Sequence, residues 1–110
     1  MGKFVKGDVV VLPFPFSDLS TSKKRPALVI AKLRGDDIIL TQITTAHSSD
    51  EYSISLLKAD FTSGGINQDS NIRPNKLFTG DSNIVTKVAG RLSQAKTDEV
   101  VNRIVQIIRS

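Results

Sequence analysis

A change of hydrophobic period near residue 97 constrains this chain more than any other feature. Up to that point the apolar residues fall in short β-favouring segments, read as strands of four to nine residues, separated by Gly, Pro, Ser and Asp. Beyond it, Val100, Val101, Ile104, Val105 and Ile108 repeat at helical spacing, with Asn102, Arg103, Gln106 and Arg109 on the other side. Many short strands followed by one amphipathic helix leave few folds open, and the chain is predicted to form a small antiparallel barrel capped by a C-terminal helix.

The strands are placed by local chemistry. Residues 9–12 are an unbroken apolar run and form the first strand. Pro13 and Pro15 cannot donate to a ladder, so regular pairing should end there or move to a sheet edge, and residues 17–22 are a polar loop. The second strand is predicted over 27–33, a tight turn over 34–37 with Gly35 supplying positive φ, and the third strand over 38–45. As an antiparallel hairpin, these two strands bring Arg25, at the start of one, near Thr44, at the end of the next. Tyr52 to Leu56 alternates as a fourth strand, 60–69 is a glycine-containing loop, 71–78 a strand interrupted by Pro74, and 84–92 the last strand. On the strand over 71–78, alternation sets Arg73, Asn75 and Thr79 on one face and Ile72 on the other. The helix is predicted from Thr97 as N-cap, with Asp98 and Glu99 near the positive end of its dipole.

Composition removes several classes of function. The 110 residues fit one domain spanning the whole chain, and with no cysteine there can be no disulfide, cysteine zinc site or thiol nucleophile. A lone histidine, His47, argues against a histidine metal cluster. No apolar run approaches the roughly 20 residues that span a bilayer, and no signal-peptide core opens the chain, so a soluble, unprocessed, cytoplasmic protein is expected. Fifteen Lys and Arg against eleven Asp and Glu give a net charge of +4, which suits a nucleic-acid partner without proving one.

The candidate site residues cluster at the loop-to-strand junction. Lys23, Lys24 and Arg25 precede Pro26, so an always-charged guanidinium sits at a rigid strand entrance, a good place to hold a phosphate. A short basic run is also common as a solvated surface, and Thr44 alone reads as an ordinary β-branched strand residue. Phe14 and Phe16 can stack on unpaired bases, and at least one of them is expected in the core.

In their order and spacing, Lys6-Gly7-Asp8-Val9-Val10, Lys24-Arg25-Pro26-Ala27-Leu28, Gln42-Ile43-Thr44 and Ser70-Asn71-Ile72-Arg73-Pro74-Asn75-Lys76-Leu77, with the closing helix, resemble the MazF/PemK (Kid) family of toxin endoribonucleases. The resemblance implies an SH3-like or CcdB-like barrel and a homodimer bound by a cognate antitoxin. It further implies cleavage of single-stranded RNA without metal or cofactor, leaving a 2′,3′-cyclic phosphate and a 5′-hydroxyl. It assigns catalysis to Arg25 and Thr44. RNA binding falls to Phe16, Ser17, Asp18, Ser20, Thr21, Lys23, Lys24, Arg73, Asn75 and Lys76. Position 75 departs from family members that carry aspartate there, since an asparagine cannot hold a proton at neutral pH, and Asp18 and His47 stand as alternative bases. Two other activities fit the same fold: a gyrase inhibitor of the CcdB kind, disfavoured by the absence of any Trp, and a barrel that binds RNA without cutting it.

Overall fold

In a computed structural model, which describes residues 4–14, 23–45 and 50–110, seven strands form one sheet. They are β1 (Asp8–Pro13), β2 (Lys24–Lys32), β3 (Asp37–Thr44), β4 (Ile54–Leu56), β5 (Phe61–Gly64), β6 (Ser70–Asp81) and β7 (Lys87–Leu92), followed by the helix α1 (Gln94–Arg109). The spatial order is β4-β6-β3-β2-β1-β7-β5, and every neighbouring pair is antiparallel. The sheet curls into a half-barrel whose edge strands, β4 and β5, do not pair with each other. Register shifts in four of the six ladders add local bend and twist, which is how a sheet of this size curls.

Strands β1 and β2 carry unbroken apolar runs because residues on both of their faces are buried. Val9, Leu28, Ile43, Ile54, Leu56, Ile72 and Leu92 pack on one face with Val100 and Ile104 of the helix. On the opposite face Val10, Leu12, Phe14, Ala27, Val29, Ile38, Leu40 and Phe78 form a second cluster, in which the Phe14 and Phe78 rings are tilted against each other at 5.0 Å. Neighbours in sequence thus fall into different clusters, as the two-residue period of a strand requires. Each fully buried Leu or Ile contributes about 1.5–3 kcal/mol relative to exposure.

The hairpin of β2 and β3 turns through Gly35 at φ +79°, as the sequence predicts. Several boundaries differ from expectation, among them β2, which begins at Lys24 and so includes Arg25 and Pro26, and β6, which runs on to Asp81. The helix begins three residues earlier than Thr97: the Ser93 side chain accepts from the Lys96 N–H as N-cap, and Thr97 is buried, its hydroxyl donating to the Ser93 carbonyl at 2.9 Å. Residues 61–64, expected in a loop, form β5 against β7. That pairing depends on backbone approach: a Cβ at Gly64 or Gly90 would run into the main chain of the other strand. The last strand begins at Lys87, because 82–84 form a single 3-10 turn whose Asn83 N–H is met by the Asp81 side chain. The fourth strand is reduced to Ile54–Leu56.

A bulge in β6 separates residues that simple alternation would place together. In the β3–β6 ladder Thr41 pairs with Leu77 but Gln42 pairs with Arg73, so Pro74, Asn75 and Lys76 loop out of β6. The fully buried Thr41 hydroxyl donates to the Arg73 carbonyl and secures the bulge, whose Pro74 has no N–H to satisfy. The insertion reverses the alternation of β6. Arg73 lies opposite Gln42 on the face of the second cluster, while Thr79, opposite Ile39, lies on the other. Thr79 therefore does not share a face with Arg73.

Candidate nucleic-acid interface

The second apolar cluster ends at one end of the sheet in polar residues. Leu12 pairs with Arg25 between β1 and β2, Thr44 with Asn71 between β3 and β6, and Asn71 with Ser55 between β6 and β4. The β2–β3 ladder stops at Ala27 opposite Gln42, next to Pro26, which has no N–H to add a rung. Carried two residues further, the same register sets Arg25 opposite Thr44. Leu12, Arg25, Thr44, Asn71 and Ser55 thus form one row across five strands on a single face, with Gln42 and Arg73 in the row beside it. Arg25 and Thr44 are both half-buried. The two residues that the sequence singles out are brought to the same face, and neither is fully buried.

The arginines here differ in company. Arg73 Nη2 donates to Asp50 Oδ2 at 3.0 Å, and Arg91 Nη1 to Asp8 Oδ1 at 2.7 Å. Among the described residues no carboxylate pairs with Arg25. An arginine without a counter-ion keeps its full charge and its planar fork for an incoming anion.

Asp50 is the residue that sequence reasoning missed. It lies in the turn before β4, and its Oδ2 accepts from both Arg73 Nη2 and, at 3.1 Å, Asn75 Nδ2. Its Oδ1 accepts from the Tyr52 N–H at 2.8 Å. The Tyr52 N–H does most to hold this carboxyl below the ordinary aspartate value near 3.8, and Arg73 and Asn75 add to it against the opposing cost of desolvation. A negative charge thus reaches position 75 from a distant turn. The only local signal for it is an Asp placed two residues before an N–H it can accept, a common turn device.

The remaining predicted residues are not all gathered here. Lys23 and Lys24 are exposed, and Lys24 alternates with Arg25 to the other side of the strand. Asn75 and Lys76 are exposed on the bulge beside Arg73. Phe16, Ser17, Asp18, Ser20 and Thr21, together with His47, lie outside the described residues. No helix among the described residues is long and apolar enough to cross a membrane.

The curled sheet with its closing helix is the fold of a group of solved endoribonuclease structures. One, an endoribonuclease from Mycobacterial species, superposes with a TM-score of 0.71 over 99% of this chain and 94% of its own, at 14% identity. A second, an endoribonuclease from Mycobacterial species in complex with its cognate antitoxin, gives 0.69 over 96% and 95%, at 12% identity. The Mycobacterium tuberculosis toxin MazF-mt6 gives 0.69 over 91% and 93%, at 14% identity. No curated protein sequence matches this one. A family model, the PemK-like, MazF-like toxin of type II toxin–antitoxin systems, matches residues 5–108. The chain belongs to that family.

Proposed function

We propose that this toxin is a metal-independent, sequence-selective endoribonuclease of single-stranded RNA, with residues 1–110 acting as one domain. The observation that carries the proposal is the shared row of Arg25 and Thr44 at the polar end of the sheet. In the reaction the 2′-oxygen bonds to phosphorus and the bond from phosphorus to the 5′-oxygen breaks. The 2′-hydroxyl gives its proton to a base, and the departing 5′-oxygen takes one up. Charge accumulates on the non-bridging oxygens between these events, and Arg25 meets it with two parallel N–H donors. Thr44 donates a further hydrogen bond to the same phosphate. Lys23 and Lys76 hold neighbouring phosphates, and Asn75 and Arg73 contact the flanking nucleotide.

Neither Asn75 nor Asp50 suits the base. The amide cannot take up a proton, and the carboxylate accepts from the Tyr52 N–H, Arg73 and Asn75 among the described residues and titrates below its ordinary range. A guanidinium has donors and no acceptor for a proton, so the part of Arg25 is charge stabilisation. The partners proposed are a homodimer mate, supported by the open sheet edges at β4 and β5, and an acidic antitoxin segment suited to a basic surface.

A long single-stranded RNA incubated with the protein in excess EDTA is expected to give discrete fragments. Intact RNA at every protein concentration, with binding retained and weakened by salt, would instead leave the non-cutting RNA-binding barrel.

A further inference from the structure

The turn at Asp50 is fixed from both sides. Arg103 of the helix donates through Nη1 to the Glu51 and Tyr52 carbonyls, at 3.4 and 3.3 Å, and so ties the turn to the back of the sheet. On the other side, Thr41 fixes the β6 bulge through the Arg73 carbonyl. Between these anchors the Asp50 carboxylate accepts from Arg73, Asn75 and the Tyr52 N–H, with both oxygens engaged. Arg73 Nε is buried without a hydrogen-bond partner, so within its pocket this guanidinium is held at Nη2 by Asp50.

We propose that Asp50 is a positioning residue for RNA cleavage: it locks the Arg73 guanidinium and the Asn75 amide in one arrangement beside the Arg25–Thr44 row, and it cancels the charge of Arg73. The inference rests on the endoribonuclease reading. Its consequence is a division of labour between two arginines on one face. Arg25, with no carboxylate partner among the described residues, draws the scissile phosphate, while Arg73, neutralised at 3.0 Å, contributes directed hydrogen bonds and little attraction. An unpaired Arg73 would grip phosphates along the strand without regard to register. The carboxylate thus lowers general affinity for RNA and raises the fraction of bound RNA that lies in line for cutting.

These two effects have opposite signs, which separates positioning from plain structural support. Asp50→Asn removes the charge and keeps an oxygen for the Tyr52 N–H. A fully 2′-O-methylated single-stranded RNA, which cannot be cleaved, serves as the binding probe. Against it the variant is expected to bind severalfold more tightly at low salt, with the salt dependence steeper by about one phosphate contact. On unmodified RNA its turnover is expected to fall by about tenfold or more. Asp50→Glu keeps the charge but displaces it by one methylene, so binding should match the wild type while turnover still falls. In an Arg73→Ala/Asn75→Ala background, which lacks both groups that Asp50 holds, Asp50→Asn should lower turnover no further.

Weaker binding by Asp50→Asn, unchanged turnover in both variants, or a turnover loss that persists without Arg73 and Asn75 would each overturn the proposal. Should Asp50→Asn not fold, Asp50→Glu alone decides between wild-type and reduced turnover. Failure of the endoribonuclease reading looks different, because the wild-type protein itself would then leave the unmodified RNA intact. The affinity and salt dependence of Asp50→Asn on the methylated RNA would still decide whether Asp50 offsets that charge.

Discussion

Arg25→Ala is expected to reduce RNA cleavage at least about a hundredfold while the protein keeps its fold. The side chain lies at the polar end of the second cluster, opposite Leu12, and no described carboxylate shares its charge. Its removal takes away the proposed bidentate donor to the phosphate but leaves no buried partner unsatisfied among the described residues. The cost in stability should therefore stay under about 1 kcal/mol. Arg25→Lys should recover little, because an ammonium offers a point charge where two parallel donors are needed. A gel-based cleavage assay beside a thermal melt reads both quantities. Cleavage at the wild-type rate by Arg25→Ala would remove this residue from the chemistry.

The largest stability effect is expected at Ile72, whose neighbours in sequence are the site residues Asn71 and Arg73. Its side chain is fully buried on the helix-covered face, in a row with Ile43 and Ile54 on the flanking strands. Ile72→Ala removes three carbons from the middle of that row, and the two strands beside it cannot close in without breaking register. A loss of about 2–5 kcal/mol is expected, seen as a lower urea midpoint with an unchanged slope. Under conditions where the variant remains folded, cleavage should fall far less than in Arg25→Ala, since Asn71 and Arg73 still point to the other face. A midpoint within error of the wild type would mean that this row is not tightly packed.

Much of this fold is legible in the sequence because its decisive features are local. The β2–β3 hairpin needs only a glycine turn and two apolar runs, and once it is drawn, Arg25 falls beside Thr44 by counting. The helix is legible for the same reason, although its first turn, Gln94-Ala95-Lys96, is polar or small, and Ser93 and Thr97 are both able to cap. The illegible parts depend on partners far along the chain. Strand β5 carries one large apolar residue, Phe61, and is specified by the close approach of Gly64 to Gly90 across the sheet. The bulge at 74–76 is specified by a hydroxyl more than thirty residues away on β3, and it alone decides that Thr79 and Arg73 face opposite sides. Asp50 reads in sequence like any turn-forming aspartate; its bonds to Arg73 and Asn75 exist only after β4 has paired with β6.

That Arg25 and Thr44 together act on one phosphodiester is tested most directly by the ends they leave. Mass spectrometry of the fragments from one defined single-stranded RNA, cut in EDTA, should show a few sites. Each should carry a 2′,3′-cyclic phosphate on one fragment and a 5′-hydroxyl on the next. Fragments bearing 5′-phosphates and 3′-hydroxyls, or cuts that survive unchanged in Arg25→Ala, would contradict it.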